Sequence, residues 1–586
     1  MGRREKKRRS RKNSEILQTK SIPDEPFFRR NHPEIKVACI MDAFSYDCFK
    51  YECHLEQLWP HTWKEQMESM KPDFLFVESA WRGAENSWSS KLTNLNEKPE
   101  SKIWELMEYC RSNQIRTVFW NKEDPVNYDL FIDAAKLFDT VFTTDENCLE
   151  KYYSDLNHMR VFVLPFASQP AIHNPVNETS NDKSNVAFAG SWFQKYEERV
   201  KDMEILLKPA IPYGLQIFDR MQNIEKYRYP EQFLPYIVGS LDYNEMVTAY
   251  KNYKLFLNVN TVKDSPTMLS RRVFELLGSG TNVISTYSLG IENMFAGIIP
   301  LVQSEEECSQ YIHLLLQNPE FSQRLSLLGI REINSKHLYK HRFQSILNKI
   351  GIDYSQVPPS GVSIITCTNR QHNMDNIFEN YEHQKWGNKE LIIILNHDGL
   401  NIKEWKQKAE LYPNVSVYRI PEEKSLGVCM NFAVDKAKHD YIAKFDDDDY
   451  YAPNYLTDAM HAFNYTDTDI VGKHTYYAYV ENLKALTIRF PGNENQFGRF
   501  LAGPTLLIKK DVFNIVKWPD QERGGDTAFL RECRANGVKM YSSDKYNFCY
   551  RRSNPENHTW RTSNLAFLQN CSIMSYSSDY KTHVTV

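Results

Sequence analysis

Lys444-Phe445-Asp446-Asp447-Asp448-Asp449-Tyr450 is the stretch on which the reading of this chain turns. Four adjacent carboxylates repel one another, so a fold keeps them together only where positive charge compensates. The run follows Tyr441-Ile442-Ala443, which reads as a short buried strand, and precedes Ala452-Pro453-Asn454-Tyr455-Leu456, where a proline marks a helix start. Carboxylates at the end of an α/β strand, beside a turn, make a hard, oxygen-rich site. That chemistry suits Mg²⁺ or Mn²⁺ carrying a diphosphate. The plain alternative is a solvated acidic turn; the strand before and the helix after favour the ion site.

Working outward, residues 362–367 and 390–395 read as strands of the same α/β unit. The first runs into Thr366-Cys367-Thr368-Asn369-Arg370 and the second into Asn396-His397-Asp398-Gly399. Polar groups at strand carboxyl ends lie where open α/β sheets bind ligands. Leu426-Gly427-Val428-Cys429-Met430-Asn431 reads as a glycine turn entering a helix, a place for close approach to phosphate, with Asn431 at the donor. Downstream come Glu522-Arg523-Gly524-Gly525-Asp526 before an apolar helix, and the basic, aromatic stretch from Tyr550 through Arg551 and Arg552 to His558 and Trp560. Asp526, just before that helix, reads on its own as a helix N-cap. Arg551 and Arg552 read either as diphosphate partners or as surface charges.

This order of motifs, over about 200 residues, resembles a family 2 glycosyltransferase of the GT-A fold. The resemblance implies that Asp446 contacts ribose or metal and that Asp448 ligates the divalent ion, with Asp449 an alternative register. It implies nucleotide contacts from Thr366, Arg370 and Asp398, a general base at Asp526, and His558 completing the metal shell or touching the diphosphate. The chain departs from the family pattern at Asn396-His397, where an Asp-Asp pair is usual, and at Gly525, where a Glu is usual. The implied reaction is one inverting displacement from a nucleotide-sugar.

Ahead of this unit, helical stretches alternate with short apolar strands near residues 35–41, 74–78, 116–120, 140–144 and 161–165, then 185–189, 215–220, 255–259 and 281–285. That alternation predicts two parallel-sheet α/β units. The segment from Ser265 to Ile284 resembles the nucleotide-sugar signature of spore maturation protein B-like (CgeB-like) glycosyltransferases, which implies a GT-B pair of Rossmann-like domains. The resemblance points to Gly190, Ser191, Arg271, Arg272 and Glu275 as donor-binding residues. Glu275 meets ribose hydroxyls on that reading, or forms a salt bridge on the bland one. Gly278 and Gly280 allow a tight turn near the ligand. Thr267 stands where many retaining GT-B enzymes carry a second Glu, and Asp42, Asp124 and His54 are weak candidates for a base.

The expected organisation is therefore a basic tail at 1–33, GT-B halves at 34–182 and 183–350, a linker at 351–361, a GT-A domain at 362–565 and a polar tail at 566–586. Hydrophobic residues at 41% and aromatics at 13% support large cores, and a net charge of −4 gives no global nucleic-acid signal. Eleven scattered cysteines without zinc spacing fit a reducing compartment, hence a cytoplasmic expectation. The tail from Arg3 to Lys12 reads as a solvated arm, as a patch for anionic membrane or polymer, or as a nucleic-acid arm. No Gly-rich dinucleotide fingerprint or P-loop is present, which argues against a dehydrogenase or P-loop NTPase. The leading expectation is a two-module glycosyltransferase, using Mg²⁺ or Mn²⁺, that builds a surface or spore-coat glycan. A non-catalytic nucleotide-sugar scaffold and a metal-dependent nucleotidyltransferase are the rivals.

Overall fold

The computed structural model describes residues 30–176, 183–222, 224–354, 360–553 and 562–586. The chain divides into two compact units that meet in sequence at residues 355–356. The two α/β halves expected before the linker form the first unit together.

The first sheet of this unit contains β1 (His32–Ile40), β2 (Cys53–Gln57), β3 (Phe74–Glu78), β4 (Arg116–Asn121), β5 (Thr140–Thr143) and β6 (Val161–Val163). All pairings are parallel, in the order β2-β1-β3-β4-β5-β6. The second contains β7 (Ser184–Ala189), β8 (Leu215–Phe218), β9 (Ile237–Gly239), β10 (Tyr253–Asn258), β11 (Asn282–Thr286) and β12 (Leu301–Val302). It too is parallel, and its order β12-β11-β10-β7-β8-β9 is that of a Rossmann sheet. Strands such as Phe-Leu-Phe-Val-Glu of β3 are buried at every position because helices cover both faces. One apolar cluster runs from Val37, Phe76 and Trp120 through Phe49 and Tyr339 to Phe256 and Phe274. The helix Tyr339–Ile350, placed by sequence in the second half, packs on the first, with Phe343 against Phe74 and Tyr339 edge-on to Phe49.

The second unit is built on a mixed sheet of β13 (Val362–Thr368), β14 (Lys389–Leu395), β15 (Val415–Arg419), β16 (Tyr441–Lys444), β18 (Ile470–Gly472), β21 (Gln496–Phe497), β22 (Leu507–Lys509) and β23 (Met540–Ser542). Its order is β15-β14-β13-β16-β22-β18-β23-β21. The first four strands are parallel, and β16 then meets β22 antiparallel. A smaller sheet combines β17 (Tyr450–Tyr451), β19 (Tyr476–Val480), β20 (Ala485–Arg489), β24 (Phe548–Arg552) and β25 (Cys571–Tyr576). The expected polar tail is thus partly built into the fold. β25 pairs antiparallel with β20, and the backbone N–H of Val586 donates to the Asn547 side chain at 2.9 Å. Its alternation of small, polar and apolar residues hides an edge strand that becomes legible only beside β20.

The helix predicted after the acidic run spans Tyr455–Tyr465, two residues beyond Pro453. Gly427 corrects another expectation. It lies inside the helix Leu426–Lys436, capped by Ser425, rather than in a phosphate-binding turn. A Cβ there would sit 1.8 Å from the Pro519 carbonyl oxygen, so the glycine is required by helix-to-chain packing.

Candidate functional site

In the C-terminal unit the acidic run leaves the end of β16 and turns into β17. Residues on both sides anchor the turn. Asn376 and Asn380, on the helix Met374–Glu382, donate to backbone carbonyls of Asp447 and Asp449 at 2.8–3.0 Å. The Asp446 N–H donates to the Tyr451 hydroxyl at 2.8 Å, which in turn donates to the Pro504 carbonyl at 2.7 Å. Sequence reading expected a cation to hold the carboxylates together, and two internal ones do part of that work.

Arg370 forms a fork onto the run. Its Nε and Nη2 reach Asp447, and its Nη1 reaches Asp448 at 2.9 Å. Thr368 Oγ1 donates at 2.5 Å to Asp447 Oδ2, the oxygen that also takes Arg370 Nε. Lys444, 2% exposed, meets Asp446 at 2.5 Å and Asp526 at 3.1 Å. Burial alone would push the Lys444 ammonium toward neutrality; Asp446 and Asp526 outweigh it and leave its pKa raised. The compensation is incomplete elsewhere. Burial and the neighbouring Asp447 push Asp448 up to about 6 despite Arg370. Burial and Asp448 push Asp449 well up, and its Oδ2 is buried without a hydrogen-bond partner.

Asp526 lies in the first turn of the helix Gly525–Ala535, but the cap is Gly524 in the left-handed region and no side chain caps this helix. The capping alternative therefore does not describe Asp526. Its Oδ1 instead accepts from Trp518 Nε1 at 3.2 Å and its Oδ2 pairs with Lys444, with Gly503 packed beside that same Oδ2. Asp446 and Asp526 side chains are 36% and 28% exposed, so both reach solvent from a buried base.

Other expected residues are placed differently. Thr366 is buried and donates to the Phe445 carbonyl at 2.8 Å, tying β13 to the acidic run rather than facing a ligand. Asn431 exchanges two hydrogen bonds with the Trp518 backbone and holds that segment against the helix. Asp398 is exposed beyond β14, with its N–H on Glu422; among the described residues no bond joins it to the acidic run. Arg551 pairs with Glu481 at 2.9 Å and donates its N–H to Asp449, while Arg552 is buried against Asn564 and Phe567. Neither is a loose surface charge. His558 lies outside the described residues. Lys444, Trp518 and Gly503 were given no role by sequence reading, and Thr368 was read only as one of the polar groups at the end of its strand. Lys444 and Thr368 carried a signal, since one adjoins the acidic run and the other ends β13.

A divalent cation fits this site on chemical grounds. The two exposed carboxylates, the unmet Asp449 oxygen and the raised Asp448 mark surplus negative charge. Among the described residues no ready-made cage of three His, Cys, Asp or Glu side chains exists. Mg²⁺ needs no such cage, because one or two carboxylates plus substrate phosphates complete its shell.

In the N-terminal unit the polar residues gather at the carboxyl ends of β7 and β8 and on the helix Arg271–Gly278, beside the switch point between β7 and β10. Glu275 is 1% exposed. It accepts from Tyr250 at 2.9 Å and Tyr243 at 3.2 Å, pairs with Arg271 at 3.0 Å and faces His173 Nε2 at 3.7 Å. Burial favours its protonated form, yet Arg271 and His173 hold its pKa below the usual value. Both oxygens are engaged within the protein, by Tyr243, Tyr250 and Arg271, so that Glu275 orients Arg271 in a buried form of the salt-bridge reading. Burial lowers His173 to about 4, and its Nδ1 accepts from the Gln169 N–H, which leaves the proton of a neutral ring on Nε2.

Around this hub, positive charge is in excess. Burial lowers Arg199 to about 10, with Arg272 and Arg220 adding to the effect, and burial with Arg272 and Arg271 lowers Arg220. Arg272 donates to the Ala189 carbonyl. Nε of Arg199 and of Arg272, Nη1 of Arg271 and Oγ of Ser191 are buried without hydrogen-bond partners. Gly190 spends its N–H on Phe218 and its carbonyl on the Tyr229 hydroxyl, so the loose donor expected there is absent from its backbone. Gly280 does make the expected left-handed turn, at φ +72°, whereas Gly278 is a close-packing glycine, 2.4 Å from Ser168 Oγ once a Cβ is added. Thr267 joins the two halves, accepting from the Glu146 N–H and donating to the Thr144 carbonyl, both at 2.9 Å.

The weak base candidates separate clearly. Asp124 is buried and fully bonded to Asn121, Thr143 and Tyr152, with burial raising it to about 7. His54 is exposed, near Arg30. Asp42 sits at the end of β1 in a cluster with Glu78 and Lys122, whose ammonium reaches them at 2.8 and 2.9 Å. The Phe44 ring lies between the Lys122 and Arg271 cations, 4.2 and 3.8 Å from its centroid.

Comparison with known proteins agrees with this division. Residues 205–348 match the family described as "Glycosyl transferase-like", and residues 363–515 match "Glycosyl transferase family 2". The O-antigen biosynthesis glycosyltransferase WbnJ of Escherichia coli is 30% identical over 160 residues, covering 26% of this chain and 62% of that protein. Among solved structures, S. aureus TarS 1-349 in complex with UDP-GlcNAc aligns at 15% identity and TM-score 0.28, over 33% of this chain and 58% of that one. Sucrose-phosphate synthase from Thermosynechococcus elongatus aligns at 13% identity and TM-score 0.36, over 50% and 76%. Scores this low leave the fold to be read from its own strand order. A glycosyltransferase-like domain ahead of a family 2 domain stands on the family matches.

Proposed function

We propose that this protein transfers sugars from nucleotide-sugar donors, UDP-sugars foremost, to a surface glycan or polymer, with one site in each unit. The observation that carries the reading is the meeting of Asp446 and Asp448, within the 363–515 stretch that matches family 2, and of Asp526, just beyond it, around Lys444 and Arg370. WbnJ, named for O-antigen biosynthesis, and TarS, solved with UDP-GlcNAc, suggest the substrate class.

In the C-terminal unit Asp446 and Asp448 would hold Mg²⁺ or Mn²⁺, which when bound supplies positive charge at the diphosphate of the leaving nucleotide. Asp526 takes the proton of an acceptor hydroxyl as its oxygen bonds to the anomeric carbon. The anomeric carbon–oxygen bond breaks in the same displacement, its electron pair leaves with the nucleoside diphosphate, and the configuration inverts. Arg370 holds Asp447 and Asp448 in register throughout. In the N-terminal unit the guanidiniums of Arg199, Arg220, Arg271 and Arg272, with Ser191, form a receptor for the donor diphosphate. Among the described residues no helix is long and apolar enough to cross a membrane. Residues 3–12, the proposed contact with anionic membrane, lie outside the described residues.

The test is a donor screen following UDP, GDP, CMP and dTDP release with Mn²⁺ and with chelator. Asp448→Ala is expected to remove metal-dependent release and Arg272→Ala the N-terminal contribution. Release of pyrophosphate instead would make the chain a nucleotidyltransferase, and tight donor binding without release would make it a scaffold.

A further inference from the structure

The geometry points to Lys444 as a positioning residue that holds the base Asp526 and competes with the divalent cation for Asp446. This rests on the proposed reaction and adds to it a role for a residue that the sequence reading quoted beside the acidic run without giving it one.

Lys444 is the last residue of β16, and its N–H donates to the Leu506 carbonyl at 2.9 Å, which fixes its backbone. Its ammonium then spans the two halves of the site, Asp446 on the donor side at 2.5 Å and Asp526 on the acceptor side at 3.1 Å. The Asp526 carboxylate is confined from three directions. Lys444 takes Oδ2, Trp518 Nε1 donates to Oδ1, and Gly503 leaves room that a Cβ would fill at 2.1 Å from Oδ2. Gly503 is itself fixed, because the adjacent Pro504 carbonyl accepts from Tyr451, the residue that also receives the Asp446 N–H. A buried ammonium with two carboxylates gives each a defined position. A cation arriving at Asp446 must share that carboxylate with it. Metal binding and base orientation are thereby coupled through one side chain, in opposite senses: the ammonium that aims Asp526 also weakens the hold on metal.

This opposition gives the test. Lys444→Met, Gly503→Ala and Asp526→Asn are compared with wild type for Mn²⁺ and Mn²⁺–UDP binding by calorimetry, and for UDP release from a UDP-hexose panel at saturating Mn²⁺. Lys444→Met is expected to release UDP about 10²-fold more slowly, the scale of a misplaced reacting group, while binding Mn²⁺–UDP as tightly as wild type or more so. Gly503→Ala, whose methyl displaces the Asp526 oxygen held by Lys444 and leaves that ammonium to Asp446, is expected to slow release and to weaken Mn²⁺–UDP binding, the opposite sign from Lys444→Met. Circular dichroism reports folding. Should Lys444→Met fail to fold, Gly503→Ala and Lys444→Arg, which retains a cation, carry the same comparison. Lys444→Met that releases UDP at the wild-type rate, or that loses metal affinity in step with activity, overturns the assignment. Wild type without release, or an Asp526→Asn variant that releases normally, overturns the proposed reaction instead.

Discussion

The two polar sites are electrostatic opposites. At the N-terminal one Arg271, Arg272, Arg199 and Arg220 gather near the buried carboxylate of Glu275, and its pKa falls. At the C-terminal one, four consecutive aspartates and Asp526 face Arg370 and Lys444, and the pKa values of Asp448 and Asp449 rise. The first arrangement has an appetite for an anion and can take a diphosphate directly. The second has an appetite for a cation, through which a diphosphate can be held. One ligand class is thus reachable from either sign of surplus charge, and the difference predicts that only the C-terminal activity depends on metal.

The largest expected effect tests the reaction itself. Asp526→Asn keeps the shape of the side chain and removes the proton acceptor, so transfer should fall by about 10²–10⁴; a variant within tenfold of wild type would remove Asp526 from the mechanism. Next in size is Arg370→Met. Deleting the cation from a mostly buried pair leaves Asp447 uncompensated, which costs on the order of 3 kcal/mol, toward the low end for buried pairs because the guanidinium is 30% exposed. Thermal unfolding should show the loss, and millimolar Mn²⁺ should return part of it. An unchanged melting temperature would mean that the run is content without its arginine.

The comparison also fixes the sign of a pH dependence. His173 titrates at about 4 in the fold against 6.5 when free, so the unfolded chain binds more protons between those values. Its contribution to stability is complete above pH 6.5 and is lost as pH falls toward 4. Asp448, raised to about 6 from 3.8, acts oppositely in the metal-free protein: the folded state binds the extra proton, and stability is lost as pH rises from 3.8 through 6. Each amounts to about 3 kcal/mol at most. Urea midpoints of His173→Asn and Asp448→Asn between pH 4 and 7 should differ from wild type with slopes of opposite sign; parallel slopes would erase the contrast drawn here. The smallest effect concerns packing. Gly427→Ala should cost about 1–3 kcal/mol, since the added methyl meets backbone at Pro519, while an unaltered midpoint would show that the helix can shift.

Much of this was legible in the chain. Alternating apolar strands and helices located most strands of the parallel sheets within a few residues, because strands buried on both faces must be continuously apolar; β2, β9, β12 and β15, short or only partly buried, were not picked out. Four consecutive aspartates announced a site because their repulsion needs an answer. Partners were harder. Thr366, Asn431 and Glu275 were chosen for their chemistry, and each spends that chemistry on the fold. A hydroxyl, an amide or a carboxylate looks the same in a sequence whether it faces a ligand or its own backbone. The order of β20 and β25 was hidden for a related reason, since an edge strand's pairing depends on a neighbour 80 or more residues earlier.

By itself the sequence determined the α/β class, the division into two glycosyltransferase-type domains and the location of the acidic site, because burial patterns and charge crowding are local properties. Tertiary structure alone decided which charges meet. Lys444 bridges Asp446 to Asp526 only because β16 lies between β13 and β22 and the 503–526 segment returns beside it. Coulombic attraction falls with distance in space and takes no account of distance along the chain.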